Sequence, residues 1–463
     1  MSRSLTDPTR SIEKTIWMLA WPVILDQSFN TMVQYVDSAM VGSLGPIATA
    51  AVGSNSSTIW LVHGIMYAFG AAFSVFTARR IGAEDKEGVQ HAVRQALLAI
   101  LFFSVTVTTL MIFLTPRLPH LIGVEAQVVP DAQTYISYIA KAYPFTIIFA
   151  FMANLLRSSG DTRSPLISNI ITNVTNIIGN FFLIFPTRTV IFFGRSLTIW
   201  GANMGVEGAA ISTAVATALS ALILLGVLFF KDSVLKPQIL NVSWKVDWSL
   251  MKRVFTLGVP LAMERATLNV GQIVLTILVT KIGTTALAAH HLAITAETIT
   301  FLPASGFSMA ATALVAQSLG AKKKDLAQQY AKKSLTYGIL LMSATGALMF
   351  IFSTQLMSFF TRDPQVIALG SKVLRIEAFA EPFFAMSIVG SGILRGAGET
   401  RWPFINSLIG MWLIRLLPAT ILILYFDFGL MAAWSCMVAD LVVRGLLNLY
   451  RYKKGDWLEA WKE

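Results

Sequence analysis

Apolar residues run through this chain in long blocks broken by short polar segments. AVRQALLAILFFSVTVTTLMIFLTP at 92–116 and YGILLMSATGALMFIFSTQLMSFF at 337–360 each exceed the ~20 residues that a helix needs to cross ~30 Å of hydrocarbon. Twelve such blocks can be placed, at 15–41, 50–77, 91–115, 133–156, 164–186, 206–230, 254–279, 286–316, 334–357, 371–394, 402–426 and 429–450. The pattern predicts an all-α integral membrane protein of twelve transmembrane helices. The polar residues inside the blocks are the informative ones. The fifth span holds SNIITNVTNIIGN, in which Asn169, Asn173, Asn176 and Asn180 follow spacings of 4, 3 and 4. That is one face of a helix. The first span carries Asp26, Asn30 and Asp37. Eleven residues at ~100° each leave its two aspartates ~20° apart around the helix and ~16 Å apart along it. Both stripes belong away from lipid, where a charge at mid-span costs ~2.5–3.5 kcal/mol. For the amides, interhelical hydrogen bonding at ~0.6–2 kcal/mol per contact and the wall of a polar cavity are both open readings.

The chain also repeats itself. LLRSSGDTRSP ends at Pro165 and ILRGAGETRWP at Pro403, and Arg157, Gly160, Thr162, Arg163 and Pro165 recur 238 residues later as Arg395, Gly398, Thr400, Arg401 and Pro403. The same offset maps Pro22 to Pro260, Gly45 to Gly283, Gly82 to Gly320 and Pro144 to Pro382. It fails only after the fifth span, where the first half has a longer external loop near 187–204. The sequence thus divides into an N-lobe (1–230), a linker (231–250) and a C-lobe (251–463). Each lobe has six spans, so the repeats are parallel and related by a pseudo-two-fold along the membrane normal. A duplicated scaffold is the plain reading. A transporter whose lobes rock about a central cleft is the functional one. In the RxxGxTRxP loops, Gly and Pro suit a tight turn followed by a new helix, and the arginines can hold lipid phosphate or cap helix ends. Arg157, Gly160, Pro165, Arg395, Gly398 and Pro403 are therefore expected as structural or hinge residues.

Composition narrows the function further. Of 463 residues 55% are hydrophobic and only 13% charged, against ~25% charged in soluble domains. Net charge is +11, which could suggest nucleic acid, but its placement argues against that partner. With the N-terminus inside, 26 of the 36 Lys and Arg fall in or against cytoplasmic segments and seven outside. This is the positive-inside pattern. It predicts a multi-pass protein of the inner or plasma membrane with both termini cytoplasmic. The polar start, MSRSLTDPTRSIEK, lacks a small-residue cleavage site, and no removable signal peptide is expected. The single cysteine, Cys436, and five scattered histidines offer no ligand spacing for a metal. No phosphate-loop motif is present. No clustered catalytic residues point to an enzyme.

YVDSAMVGSLGPIATAAVG, FGAAFSVFTARRIGAEDKEG, the two RxxGxTRxP loops and FLPASGFSMAATALVAQSLGAKK together resemble the multidrug and toxic-compound extrusion (MATE) family, over nearly the whole chain. The resemblance implies a V-shaped fold and export of organic, often cationic compounds by antiport with H+ or Na+. It implies no other cofactor. Asp37 matches the first-span aspartate implicated in the family's cation coupling. Asn176 and Asn180 match an asparagine and an aspartate of the family's fifth span, so here one titratable group is replaced by an amide. Asn154 and Thr213 match the polar lining of the same cavity, which Asn30 and Asn173 would share.

Asp26 joins Asp37 as a coupling candidate by its place on the seam. Glu264, the repeat partner of Asp26, is a third, although the family's seventh-span acid falls one turn later, at Leu268. Glu377 and Glu381 are placed at the outer part of span 10, and Arg265, Arg415, Glu297 and Asp440 add charge to the C-lobe. These are expected as a structural network, with Arg415 paired to an acid and Asp440 to Arg444 at i,i+4. The expected function is secondary active multidrug efflux by a monomer that binds small organic substrates within the lipid bilayer. The alternative is export of one endogenous metabolite or lipid-linked precursor.

Overall fold

A computed structural model describes residues 5–6, 10–192, 195–237 and 243–461. The first half comprises α1 (Ile12–Gly42), α2 (Pro46–Gly82), α3 (Lys86–Leu114), the short α4 (Leu118–Ile122), α5 (Val129–Ser158), α6 (Arg163–Leu183), strands β1 (Pro186–Phe192) and β2 (Arg195–Ala202), and α7 (Gly205–Phe230). The second half comprises α8 (Trp248–Thr280), α9 (Thr284–Gly320), α10 (Lys324–Phe360), α11 (Pro364–Ala378), α12 (Glu381–Gly396), α13 (Arg401–Leu408), α14 (Leu417–Leu424) and α15 (Leu430–Lys454). A π-helical segment, Ile409–Leu416, joins α13 to α14. Twelve spans result, with α11–α12 as the tenth and α13–α14 as the eleventh. The middle of the expected linker, 238–242, lies outside the described residues.

Ten of these spans are long and apolar enough to cross a bilayer by length and composition alone. The other two are the polar ones. α1 is diluted by Asp26, Gln27, Asn30, Gln34 and Asp37, and the tenth span is broken at Phe379–Ala380. Several helices start at an acid whose carboxylate accepts the first free amides: Asp85 from Gly88 N at 2.8 Å, Asp247 from Ser249 N at 2.9 Å and Asp363 from Gln365 N at 2.8 Å. Such capping satisfies donors that have no partner within the helix.

The long loop between α6 and α7 holds an antiparallel hairpin, in which Thr189 pairs with Thr198 and Val190 with Leu197. RTVIF and SLTIW supply the β-branched and aromatic residues that suit strands. This is a departure from the all-helical expectation.

Packing does not follow the half-way point of the sequence. Ile16, Leu19 and Ala20 of α1 lie in a buried cluster with Phe307 and Ala311 of α9 and Val389 of α12. Met251, Val254 and Leu257 of α8 lie in the first-half cluster with Phe69 and Phe73 of α2. The two exchanges are repeat-related. Gly258 of α8 abuts the ring of Phe69, and Phe307, the repeat partner of Phe69, shares a cluster with Ala20, the repeat partner of Gly258. Each half thus lends the start of its first helix to the other.

The lobes cross most tightly where α2 and α9 end. A Cβ on Gly82 would lie 1.9 Å from Gln317 O, and one on the repeat partner Gly320 would lie 2.1 Å from Arg79 O. Around this crossing Arg79 Nη2 donates to Ala397 O at 2.9 Å, and Gln317 Nε2 donates to Ser158 O at 2.6 Å. Arg79 and Gln317 are again 238 residues apart. Leu5 covers Gly160 and Trp461 covers Gly398 on the same side. That side is called the terminal face below.

Candidate functional site

α1 and α6 run side by side in the same direction, and their polar seams meet in one register. Asn169 Nδ2 donates to Asp26 Oδ1 at 2.6 Å, Asn173 Nδ2 to Asn30 Oδ1 at 3.5 Å, and Asn180 Nδ2 to Asp37 Oδ1, each across 143 residues. The spacings of 4 and 7 on α1 are repeated on α6, so a single register aligns all three rungs. Asn176 turns the other way: its Nδ2 donates to Thr213 Oγ1 of α7 at 3.1 Å, and its Oδ1 accepts from Asn180 Nδ2 at 3.3 Å. A chain of bonds therefore leads from Asp37 through Asn180 and Asn176 to Thr213. Asn154 stands apart from it, buried against Gly70 of α2 and donating to Ala150 O at 2.8 Å. Asn180 Oδ1 is buried without a hydrogen-bond partner, which leaves an acceptor free beside Asp37.

The three candidate acids differ in their partners. Asp26 is buried and receives Arg157 Nη2 at 2.5 Å. Glu264 is buried and receives Arg395 Nη2 at 2.6 Å. Both pairs span 131 residues, and both members are repeat partners. One ion pair is thus drawn twice, tying the middle of each lobe's first span to the end of its fourth. Asp37 forms no ion pair among the described residues; it accepts from the Asn180 amide.

The loops that carry these arginines share one backbone. Gly160 and Gly398 have φ of +91° and +87°, where a side chain would be strained. Asp161 N donates to Leu156 O at 3.0 Å and Glu399 N to Leu394 O at 2.8 Å, closing the same six-residue cap at both helix ends. Pro165 and Pro403 follow in the first turn of the next helix, each buried. In the first loop, burial pushes the Asp161 carboxyl up. Lys231 Nζ at 2.6 Å and the Ser164 hydroxyl and amide outweigh it, holding the group below its usual range.

The C-lobe charges separate into two groups. Asp440 takes Arg415 Nε at 2.8 Å, Arg444 Nε at 2.6 Å and Arg444 Nη2 at 2.8 Å. Gly410 of the π-helical segment leaves room for this clamp, since a Cβ there would sit 2.1 Å from Asp440 Oδ1. Glu297, Glu377 and Glu381 are left without an ion pair among the described residues. Both carboxylate oxygens of Glu377 and Oε2 of Glu381 are buried and unpartnered, while Glu381 Oε1 accepts from Thr300 Oγ1 at 2.5 Å. Glu377 and Glu381 flank the break in the tenth span, rather than sitting in its outer part as the hydropathy pattern suggested. The signal for that break is Pro382, in the first turn of α12. Its repeat partner Pro144 lies inside an unbroken α5. Among the described residues no three His, Cys, Asp or Glu side chains converge to hold a metal ion.

The MatE family pattern matches residues 22–182 and 260–421, two segments whose starts are separated by the repeat offset. A probable multidrug resistance protein, NorM, of Thermotoga maritima is 29% identical over 96% of this chain and 93% of its own. A crystal structure of MATE in complex with MaL6 superposes with a TM-score of 0.89, at 20% identity and 99% coverage of both chains. One described as the outward-facing conformation of a multidrug resistance MATE family transporter gives 0.87, at 20% identity and 97% coverage of both.

Proposed function

We propose, from the premise that this chain belongs to the MatE family of multi-pass membrane transporters, that it exports organic, often cationic compounds by antiport with H+ or Na+. One charge moved across 100 mV supplies ~2.3 kcal/mol, near a 50-fold gradient, so no ATP is required. The lobes would rock about the α1–α9 and α2–α8 exchanges, closing and opening at the terminal face. The Lys and Arg bias supports a cytoplasmic position for that face. The protein would act as a monomer, since each half already completes the other.

The coupling role goes to Asp37. The observation that carries it is the contrast among three acids. Asp26 and Glu264 each hold an arginine, whereas Asp37 is met by the Asn180 amide and forms no ion pair among the described residues. An ionised Asp37 accepts from Asn180. A protonated Asp37 gains a donor, and Asn180 can answer it by turning over, because its amide offers Nδ2 on one side and Oδ1 on the other. Asn180 would then read the proton without titrating, and Asn176 and Thr213 would carry the change to α7.

A second coupling site has its own support in the C-lobe. Glu377 is buried with no partner at a break in a membrane span. Such discontinuities are common at ion and substrate sites of transporters.

Ethidium movement in everted vesicles under imposed ΔpH or Na+ gradients tests the function. Gradient-dependent accumulation is expected. If no organic cation moves under either gradient, the alternative takes over: export of one metabolite or lipid-linked precursor.

A further inference from the structure

The two RxxGxTRxP loops end differently. In the first, Asp161 caps α6, accepting from Ser164 N at 3.0 Å and from Lys231 Nζ at 2.6 Å. Glu399 stands at the repeated position, one methylene longer, and turns away to accept from Arg451 Nε at 2.7 Å. Arg451 also reaches Asp456 at 2.9 Å, so its charge is answered. In front of the second loop lies a cavity of about 510 Å³, lined by Phe76, Arg253, Thr256, Arg401 and Trp461 and by the Glu399–Arg451 pair, among others. Arg253 and Arg401 are exposed and form no ion pair among the described residues. Phe76 and Trp461 meet edge-on at 4.7 Å, giving the cavity an aromatic wall. A smaller cavity of about 170 Å³ shares Phe76 and Arg253 and adds Arg80 and His91. The same end of α8 exposes Trp248 (77%) and Phe255 (41%), as residues do at the headgroup level of a bilayer.

We propose that this cavity binds the phosphate-bearing headgroup of an anionic lipid, such as phosphatidylglycerol or cardiolipin. Arg253 and Arg401 hold the phosphate, and Phe76 and Trp461 pack against the apolar part next to it. Two unpaired cations over an aromatic wall match a phosphate joined to an apolar body. A free phosphate would leave most of 510 Å³ empty. Phe76 belongs to α2, and the rest of the lining to α8, the second loop, α15 and the C-terminal tail. The cavity is therefore complete only while the halves meet at the terminal face, and an occupant favours that state.

The test is thermal stability of the purified protein in neutral detergent, titrated with cardiolipin, phosphatidylglycerol, phosphatidylcholine or inorganic phosphate. The anionic lipids are expected to raise the melting point and phosphatidylcholine to leave it unchanged. R253Q/R401Q is expected to weaken the anionic-lipid response about 30-fold without changing the melting point in detergent alone. T256W, which fills the cavity and keeps every arginine, is expected to weaken it as well. K252Q, on the same helix outside the cavity, is expected to respond like wild type. An equal shift from inorganic phosphate would overturn the lipid assignment in favour of a free-anion site. An undiminished response in both cavity variants, or an equal loss in K252Q, would overturn the site itself.

Discussion

Gly82→Ala strikes the point where the halves come closest. The added Cβ would lie 1.9 Å from Gln317 O, whereas real Cβ contacts of this kind start near 3.0 Å. The ends of α2 and α9 must therefore part by about 1.1 Å. Overpacking on that scale costs ~1–3 kcal/mol. If the whole cost falls on the conformation closed at the terminal face, the ratio of closed to open changes by ~5- to 150-fold. The Arg79–Ala397 and Gln317–Ser158 bonds, at 2.9 and 2.6 Å, lengthen with it. Spin labels on Lys86 and Lys324, exposed repeat partners at the starts of α3 and α10, report the separation in proteoliposomes. A longer-distance population is expected to grow in Gly82→Ala, and equally in Gly320→Ala. The double variant should resemble either single one, since one parting of the helices relieves both clashes. An unchanged distance distribution in the single variants, or full additivity in the double, would refute the reasoning.

Arg157→Gln and Arg395→Gln each strand a buried carboxylate, for an expected loss of ~3–5 kcal/mol; adding Asp26→Asn to the first or Glu264→Gln to the second should restore most of it, read as melting temperature in a double-mutant cycle. Asp440→Asn leaves two buried guanidinium groups under-answered and should also cost ~3–5 kcal/mol, whereas Lys324→Gln, which breaks an exposed pair with Glu459, should cost ~0–1 kcal/mol. Asp161 is held below its usual range in the folded protein, so its contribution is present above the unfolded value of ~4 and lost as pH falls through the folded one. The stability gap between wild type and Asp161→Asn should accordingly stay constant from pH 8 to pH 6 and close only in stronger acid, at pH values below ~4.

The twelve spans were legible because apolar blocks of that length have one use, and the two halves because the offset of 238 repeats at every marked Gly and Pro. The meeting of α1 with α6 was legible in part. Spacings of 4 and 7 occur in both seams, but only packing shows that Asn176 leaves the row for Thr213. The paired arginines carried a signal that the hydropathy pattern hides. Asp26 and Arg157 map onto Glu264 and Arg395 under one offset, and two acid–arginine couples conserved through a duplication are a contact in waiting. The exchange of α1 and α8 between the halves was not legible, because apolar residues such as Ile16 and Met251 do not say which helix they will face. Nor was the separation of Glu377 from the Arg415–Asp440–Arg444 clamp: four acids and two arginines can be paired many ways, and the π-helical turn at Gly410 decides it.

The central claim is that Asp37, the first-span acid that no arginine holds among the described residues, couples transport. It is tested most directly by measuring cation-driven ethidium transport for Asp37→Asn and Glu264→Gln side by side in liposomes, each with ΔpH or a Na+ gradient as the sole driving force. Asp37→Asn is predicted to abolish gradient-driven transport, and Glu264→Gln to retain it with reduced stability. Wild-type coupling in Asp37→Asn together with a dead Glu264→Gln would contradict the account.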